Sequence, residues 1–223
     1  KSVASVPLFF TYEVNMASKT QKKNKIRQDI IEAASMYEQY LAGQAFLYVY
    51  GNEYFEVMFP VNRFLHLAGV ETRLFAKKFY KNAREKTLTT QQFYFSPRHP
   101  FEVSKKKLSC LKRLYELTNT KVRILRNMET ASVVYKVGIS NLEFTLCLTE
   151  NRDSNGEKIN EYFLPMSLRA GRNSTKNGDD YGEVDFIFQK DASLGKYTTL
   201  LVKNGNKEIP ECVHHLLQGN LLQ

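Results

Sequence analysis

The chain has 223 residues, of which 43% are hydrophobic, 13% aromatic and 25% charged; this excludes a disordered tail and allows one or two domains. With 32 Lys and Arg against 23 Asp and Glu, the formal net charge is +9. That excess favours phosphate-bearing partners or an anionic surface, although a solvated lysine face gives the same number. Cys110, Cys147 and Cys212 are too scattered, and too odd in number, for a disulfide framework or zinc spacing, so a reducing, cytosolic setting is expected. No apolar run approaches the roughly 20 residues of a membrane span.

The opening "KSVASVPLFFTYEV" reads as an edge strand and lacks a signal peptide's apolar region and cleavage site. "MASKTQKKN", from Met16, reads like a natural start. The spacing of Ile26, Ile30, Ala33, Ala34, Tyr37 and Leu41 predicts an amphipathic helix over Lys19–Gly43, with Gly43 as its cap. Its first turns would carry Lys19, Lys22, Lys23, Lys25 and Arg27. The helix dipole is already positive there, so helix stability does not explain them; contact with an anion does, and so does plain solvation. "QAFLYVYGNEYFEVMFP" is a hairpin around Gly51-Asn52, closed by Pro60. "RFLHLAGV" follows as a short helix or turn capped by Gly69. His66, inside that apolar block, reads equally as a partly buried structural residue and as a proton carrier.

From Glu71 to about Thr118 the pattern is helical. Leu74, Phe75, Lys78, Phe79 and Ala83 form one stripe, and Leu108, Leu111, Leu114, Tyr115 and Leu117 another. Between Phe101 and Thr130 there are eight bases and three acids, which gives the helical half a basic surface. After Asn119 the texture turns to β: "KVRILRN", "SVVYKVGI", "LEFTLCLTE", "EYFLPMSLRA", "EVDFIFQKD" and "YTTLLVKNG" read as strands. "STKNGDDYG" and "NRDSNGEK" read as flexible loops, and the sequon at Asn173, which begins just before the first, as chance. The expected architecture is α+β, with N-terminal helices packed on a late antiparallel sheet. Residues 1–25 form an extension, 26–206 the main domain, and 207–223 a tail helix.

Phosphate-cradling loops, dinucleotide fingerprints, nucleophile elbows and His-Glu-x-x-His pairs are all missing. The four histidines (His66, His99, His214 and His215) show no close acid–histidine pattern, which speaks against a metal centre. The cysteines sit in apolar contexts and read as small hydrophobes. What remains, scattered His, Arg, Lys, Ser, Thr and Tyr, suits metal-independent RNA cleavage. That reaction needs a base for the 2′-hydroxyl, cations for the phosphorane and an acid for the leaving 5′-oxygen, none of which demands a contiguous motif.

Three short stretches carry a resemblance. The aromatic hairpin leads into Phe64-x-His66-Leu67-x-Gly69. "YFLPMSLRAGR" offers Pro165, Ser167 and Arg169, and "FIFQKDASLGKYTTLLV" runs from Phe188 to Tyr197 and Thr198. Together, over Ile26 to Asn206, the chain resembles the phage barnase–EndoU–colicin–RelE-like nuclease group, in particular its fourth family. No second histidine stands in a comparable block. The resemblance implies an RNase/RelE-like core and metal-independent cleavage of RNA with no cofactor, in phage, mobile-element or toxin settings. An acidic antitoxin or immunity protein would be its partner.

On that basis the expected catalytic residues are His66 as general acid or base, Arg169 as phosphate clamp, and Lys190, Tyr197 and Thr198. Substrate contacts are expected from Lys136, Ser167, Arg172, Lys196, Lys105 and Lys106. Lys136, a charge in an apolar strand, reads equally as edge protection and as an open-face cation. Two other classes fit the charge: a non-catalytic nucleic-acid-binding module and a protein that docks an acidic partner. Binding without a product marks the first, and complex formation without RNA affinity the second.

Overall fold

In a computed structural model describing residues 8–129, 134–171 and 178–222, helix α1 runs over Leu8–Tyr40. It therefore begins inside the segment that reads as an edge strand. Lys19 to Arg27 lie within the helix rather than in its first turns, so the dipole argument does not apply to them. Ile26, Ile30, Ala33, Ala34 and Tyr37 are buried along one face, as their spacing predicts. Several of the cations fasten this helix to the segment 88–101. Lys23 Nζ donates to the Thr90 carbonyl at 2.7 Å and lies 5.5 Å from the Phe93 ring centre. Lys22 stands over Phe101, and Arg27 reaches the Leu88 carbonyl.

Strands β1 (Gln44–Tyr50) and β2 (Glu53–Met58) form the expected hairpin. Four helices follow: α2 (Phe64–Ala68), α3 (Ala76–Arg84), α4 (Phe101–Lys112) and α5 (Glu116–Asn119). In the first predicted stripe Phe79 and Ala83 are buried, but Phe75 is 88% exposed. It precedes the first turn of α3 in extended conformation, so the helical period does not reach it.

The remaining strands are β3 (Arg123–Glu129), β4 (Val134–Ser140), β5 (Phe144–Arg152), β6 (Lys158–Ala170), β7 (Asp179–Glu183), β8 (Phe186–Asp191) and β9 (Thr199–Lys203). Strand β7 falls where the sequence reads as a flexible loop. It is an edge strand with no fully buried side chain, so it has no hydrophobic alternation to read. The nine strands of the described residues form one sheet, ordered β7-β3-β4-β5-β6-β2-β1-β8-β9. The fold is α+β, but the sheet is mixed rather than antiparallel, because β2 meets β6 in parallel at the single pair Val57–Phe163. The early hairpin is thus built into the middle of the late sheet.

Alternation along β1 divides the interior. Phe46, Tyr48 and Tyr50 face the large core shared with α1–α4, while Ala45, Leu47 and Val49 face a second cluster. Val213 and Leu217 of the C-terminal segment, where Glu211–Leu216 form a 3-10 helix, close that second cluster. Among the described residues no helix is long and apolar enough to cross a membrane.

Strand β6 carries a bulge that matters for the site. Cys147 of β5 stands opposite Ser167, but the next residue, Leu148, stands opposite Pro165. Met166 is the extra residue, and it resets the side-chain phase of everything after it. Ser167 and Arg169 consequently share a face with Cys147 and Thr145.

Candidate active site

Within "RFLHLAGV", Phe64, Leu67 and Ala68 are fully buried at i, i+3, i+4 spacing. The Phe64 ring meets Tyr37 and Tyr80 edge-on, with centroids 5.5 and 5.2 Å apart. Burial of Phe64 and of Leu67 contributes about 1.5–3 kcal/mol each to holding the short helix down. That spacing leaves His66 exposed. The apolar block anchors the helix, and the imidazole stands outside it.

Gly69 ends α2 in the left-handed region, at φ 66° and ψ 38°. A Cβ there would lie 2.6 Å from Lys107 Cδ, and Ser104 Oγ donates to the Gly69 carbonyl at 2.6 Å. The glycine therefore lets α4 cross the end of α2 and carries the Lys107 stem over it.

Lys107, Arg63, His66 and Arg169 form one electrostatic group. Burial and the charge of Arg169 lower the Lys107 pKa. Although His66 is exposed, the protein around it together with Arg63, Lys107 and His99 lowers its pKa below 6.5. The imidazole is therefore neutral at neutral pH. The Nε atoms of both Arg63 and Arg169 are buried without a hydrogen-bond partner among the described residues. None of Arg63, Lys107 and Arg169 forms an ion pair with a carboxylate of those residues. Three crowded cations with two orphaned N–H groups have the chemistry to accept an anion.

A second imidazole faces this group. His99 Nδ1 lies 2.9 Å from Glu71 Oε1, which also accepts from Ser96 Oγ at 3.2 Å. The hydrogen bond from His99, with that from Ser96, holds the Glu71 carboxyl below its ordinary pKa. An acid–histidine pair thus exists in space where the sequence shows no close pattern. Its members are 28 positions apart, and no local pattern could show it. Among the described residues no three His, Cys, Asp or Glu side chains converge as a metal-holding group.

The other expected residues are dispersed. Lys105 and Lys106 are exposed on α4 and point away, while their neighbour Lys107, not singled out from the sequence, is the one turned inward. The helical phase set by buried Ser104, Leu108 and Leu111 explains this. Ser167 is buried beside Cys147, whose thiol burial pushes up to about 11. Cys110 is likewise buried, but Cys212 is only partly so. Lys136 lies on β4, inside the sheet rather than at its edge, so edge protection does not account for it; it is exposed and pairs with Glu150 at 3.2 Å. Arg172 and the Asn173 sequon lie outside the described residues.

Lys190 and Tyr197 occupy another cluster. Tyr197 donates its hydroxyl to Glu56 Oε2 at 2.6 Å, and Lys190 Nζ is 3.9 Å from the same oxygen and 4.5 Å from the Tyr197 ring centre. Glu56 stands opposite Leu47 and Lys190 opposite Ala45, on the face of β1 turned away from the large core. The sheet therefore separates them from α2. Burial, reinforced by Glu56, drives the Tyr197 phenol pKa far above its ordinary value, so this hydroxyl stays protonated. Thr198 is half-buried with its hydroxyl 3.4 Å from the Gln189 carbonyl, and Lys196 is exposed.

Helices on one face of a sheet, with a cationic, imidazole-bearing group beside β6, define an α+β protein whose site suits a phosphate-bearing substrate. The chain belongs to the family described as phage-Barnase-EndoU-ColicinE5/D-RelE like nuclease4, whose model matches residues 29–204. It is a nuclease of that type, with a nucleic-acid substrate. No curated protein and no solved structure matches the chain.

Proposed function

We propose that the protein is a metal-independent endoribonuclease whose reaction centre is the group Arg63, His66, His99, Lys107 and Arg169. The observation that carries this is the pair of buried, unpartnered Nε atoms of Arg63 and Arg169 in the same group as a neutral imidazole. The guanidinium groups and Lys107 bind the non-bridging oxygens of the scissile phosphate and stabilise the added charge of the phosphorane. His66 takes the proton of the ribose 2′-hydroxyl as its oxygen forms the new bond to phosphorus. The bond from phosphorus to the 5′-oxygen breaks, and His99, oriented by Glu71, returns a proton to that leaving oxygen. The products are a 2′,3′-cyclic phosphate and a free 5′-hydroxyl. In this scheme Lys190 and Tyr197 act at a distance, by holding Glu56 and the sheet.

The test is cleavage of a single-stranded RNA, and of the same sequence as DNA, in EDTA. Wild type is expected to cut RNA alone and to leave cyclic phosphate ends, and His66→Ala to lose the activity. Equal cutting of the DNA, or activity that disappears with EDTA, would overturn the scheme.

A further inference from the structure

Helices α1 and α4 lie side by side. Lys22, Lys25, Asp29 and Glu32 share one stripe of α1, and Phe101, Lys105 and Lys112 share one of α4. Lys22 Nζ stands 5.5 Å from the Phe101 ring centre, and Lys112 Nζ lies 3.0 Å from Asp29 and 3.1 Å from Glu32. The two helices therefore run parallel with these stripes facing. Lys25 and Lys105 fall at the same level between the two contacts.

The seam changes character along its length. At its far end the charges compensate, because Lys112 takes both acids. At its near end Lys22, Lys25 and Lys105 are exposed, and none forms an ion pair among the described residues. Lys106, next on the outer side of α4, is exposed and unpaired in the same way. Glu102 is the only acid of α4, and one carboxylate against four ammonium groups leaves this surface cationic. Like charges set beside each other cost stability, so packing of the two helices does not account for them.

The same helix borders the proposed centre. Lys107 follows Lys105 by two residues, about 200° around the helix, and stands against Gly69 in the group with Arg169. Lys106 lies between them on the exposed side. A phosphate backbone leaving the centre thus meets a row of ammonium groups as it rounds α4, a cylinder about 10–12 Å across. Protein interfaces are built round aromatic side chains and are depleted in lysine, whereas phosphates need only accessible cations. Lys22 and Lys25 also precede residue 29, where the match to the nuclease family begins, so half of the row lies outside the family domain.

We infer that Lys22, Lys25, Lys105 and Lys106 form a track for the phosphate backbone of a nucleic acid that continues past the scissile bond, which makes the substrate an extended strand rather than a short oligonucleotide. The inference rests on the nuclease reading above and assigns what that reading leaves open, the reach of the substrate.

The test is equilibrium binding of 2′-O-methyl RNA, which has no free 2′-hydroxyl to attack, over a range of salt. A tetranucleotide is compared with a strand of about 16 nucleotides. Cleavage of ordinary RNA of the longer length runs beside it. Each phosphate contact contributes about 0.7 to the slope of log affinity against log salt for a single strand. Lys22→Gln, Lys25→Gln, Lys105→Gln and Lys106→Gln combined are expected to lower the slope for the long strand by about 3. The Lys105→Gln and Lys106→Gln pair should lower it by about half as much, and arginine at all four positions should keep it. An unchanged slope in the glutamine variants, with wild-type cleavage intact, would overturn the track and keep the nuclease reading. A lowered slope without wild-type cleavage would uphold the track and remove the reaction. Neither binding nor cleavage by wild type would overturn the two together. Polyglutamate bound as tightly as the long strand would overturn the phosphate assignment in favour of an acidic protein.

Discussion

His99 Nδ1 sits 2.9 Å from Glu71 Oε1, and Glu71 is also held by Ser96. A carboxylate in that position fixes how the ring is turned, and in the proposed scheme it fixes which ring nitrogen faces the substrate. Glu71→Gln should therefore lower kcat by about 10-fold with KM little changed, a fraction of the roughly 10²–10⁴ that a positioned proton carrier contributes. His99→Ala should lose the larger factor. The same pair has a stability signature. The carboxyl pKa of Glu71 is depressed in the fold, so its contribution is present above its ordinary value of 4.5 and is lost as the pH falls through the lowered one. Thermal melts of wild type and Glu71→Gln should differ near neutral pH and converge in acid.

In the proposed scheme the depressed pKa of His66 sets the acid side of the rate profile. A base works while unprotonated, so kcat/KM should hold as the pH drops through 6.5 and fall only below the lowered value. Its effect on stability has a definite sign. An imidazole whose pKa is lower folded than unfolded disfavours the fold as the pH descends below 6.5, because the unfolded chain then binds the proton more readily. Inorganic phosphate, by pairing the cations around His66, should reduce that acid loss. Melting curves at several pH values, with and without phosphate, check this.

Gly69→Ala places a side chain at φ 66° and pushes against Lys107. The lysine stem is flexible and moves aside, so the backbone strain dominates, about 1–2 kcal/mol or roughly 2–8 °C in Tm. Displacing Lys107 should also raise KM for RNA. Calorimetry and steady-state kinetics on the same variant would show the two effects together. A Tm change with KM unaltered would mean that Lys107 does not touch the phosphate.

Tyr197→Phe tests the separation of the two clusters. It removes the hydrogen bond to Glu56 and leaves a poorly hydrated carboxylate near Lys190. A loss of about 1–3 kcal/mol in stability is expected, with kcat below the melting range within about 2-fold of wild type. A large fall in kcat in the folded variant would place this hydroxyl in the reaction.

Much of the scaffold was legible because it follows hydrophobic period. The α1 stripe, the Gly51 hairpin and the buried face of Phe64, Leu67 and Ala68 are local patterns. Of the proposed centre, His66 and Arg169 stood in recognisable blocks. Lys107 was hidden in "KKK", where only the helical phase set by Ser104, Leu108 and Leu111 separates an inward lysine from two outward ones. Arg63 looked like a flank of the histidine block. His99 and Glu71 meet only because the chain between Val70 and Phe101 folds back, shown by the Glu71–Tyr94 bridge. Lys190 and Tyr197 were drawn into the same constellation because strand order is not written locally; the pairing of β1 with both β2 and β8 puts them on the far face.

The Met166 bulge breaks the parity of β6. Counting along β6 from Phe163, whose ring meets the large core, side chains at even steps would face that core and those at odd steps would not. Arg169 is an even number of steps from Phe163, yet it shares its side with Cys147, because one unpaired residue is absorbed between them. Removing Met166 would leave Arg169 an odd number of steps from Phe163, so a regular strand would keep the guanidinium on the Cys147 side and lose only the bulged side chain beside Arg63. The supernumerary residue thus does not decide the side on which Arg169 stands; its loss would remove the Met166 contact with Arg63 and leave the pairing of Ser167 and Arg169 in place.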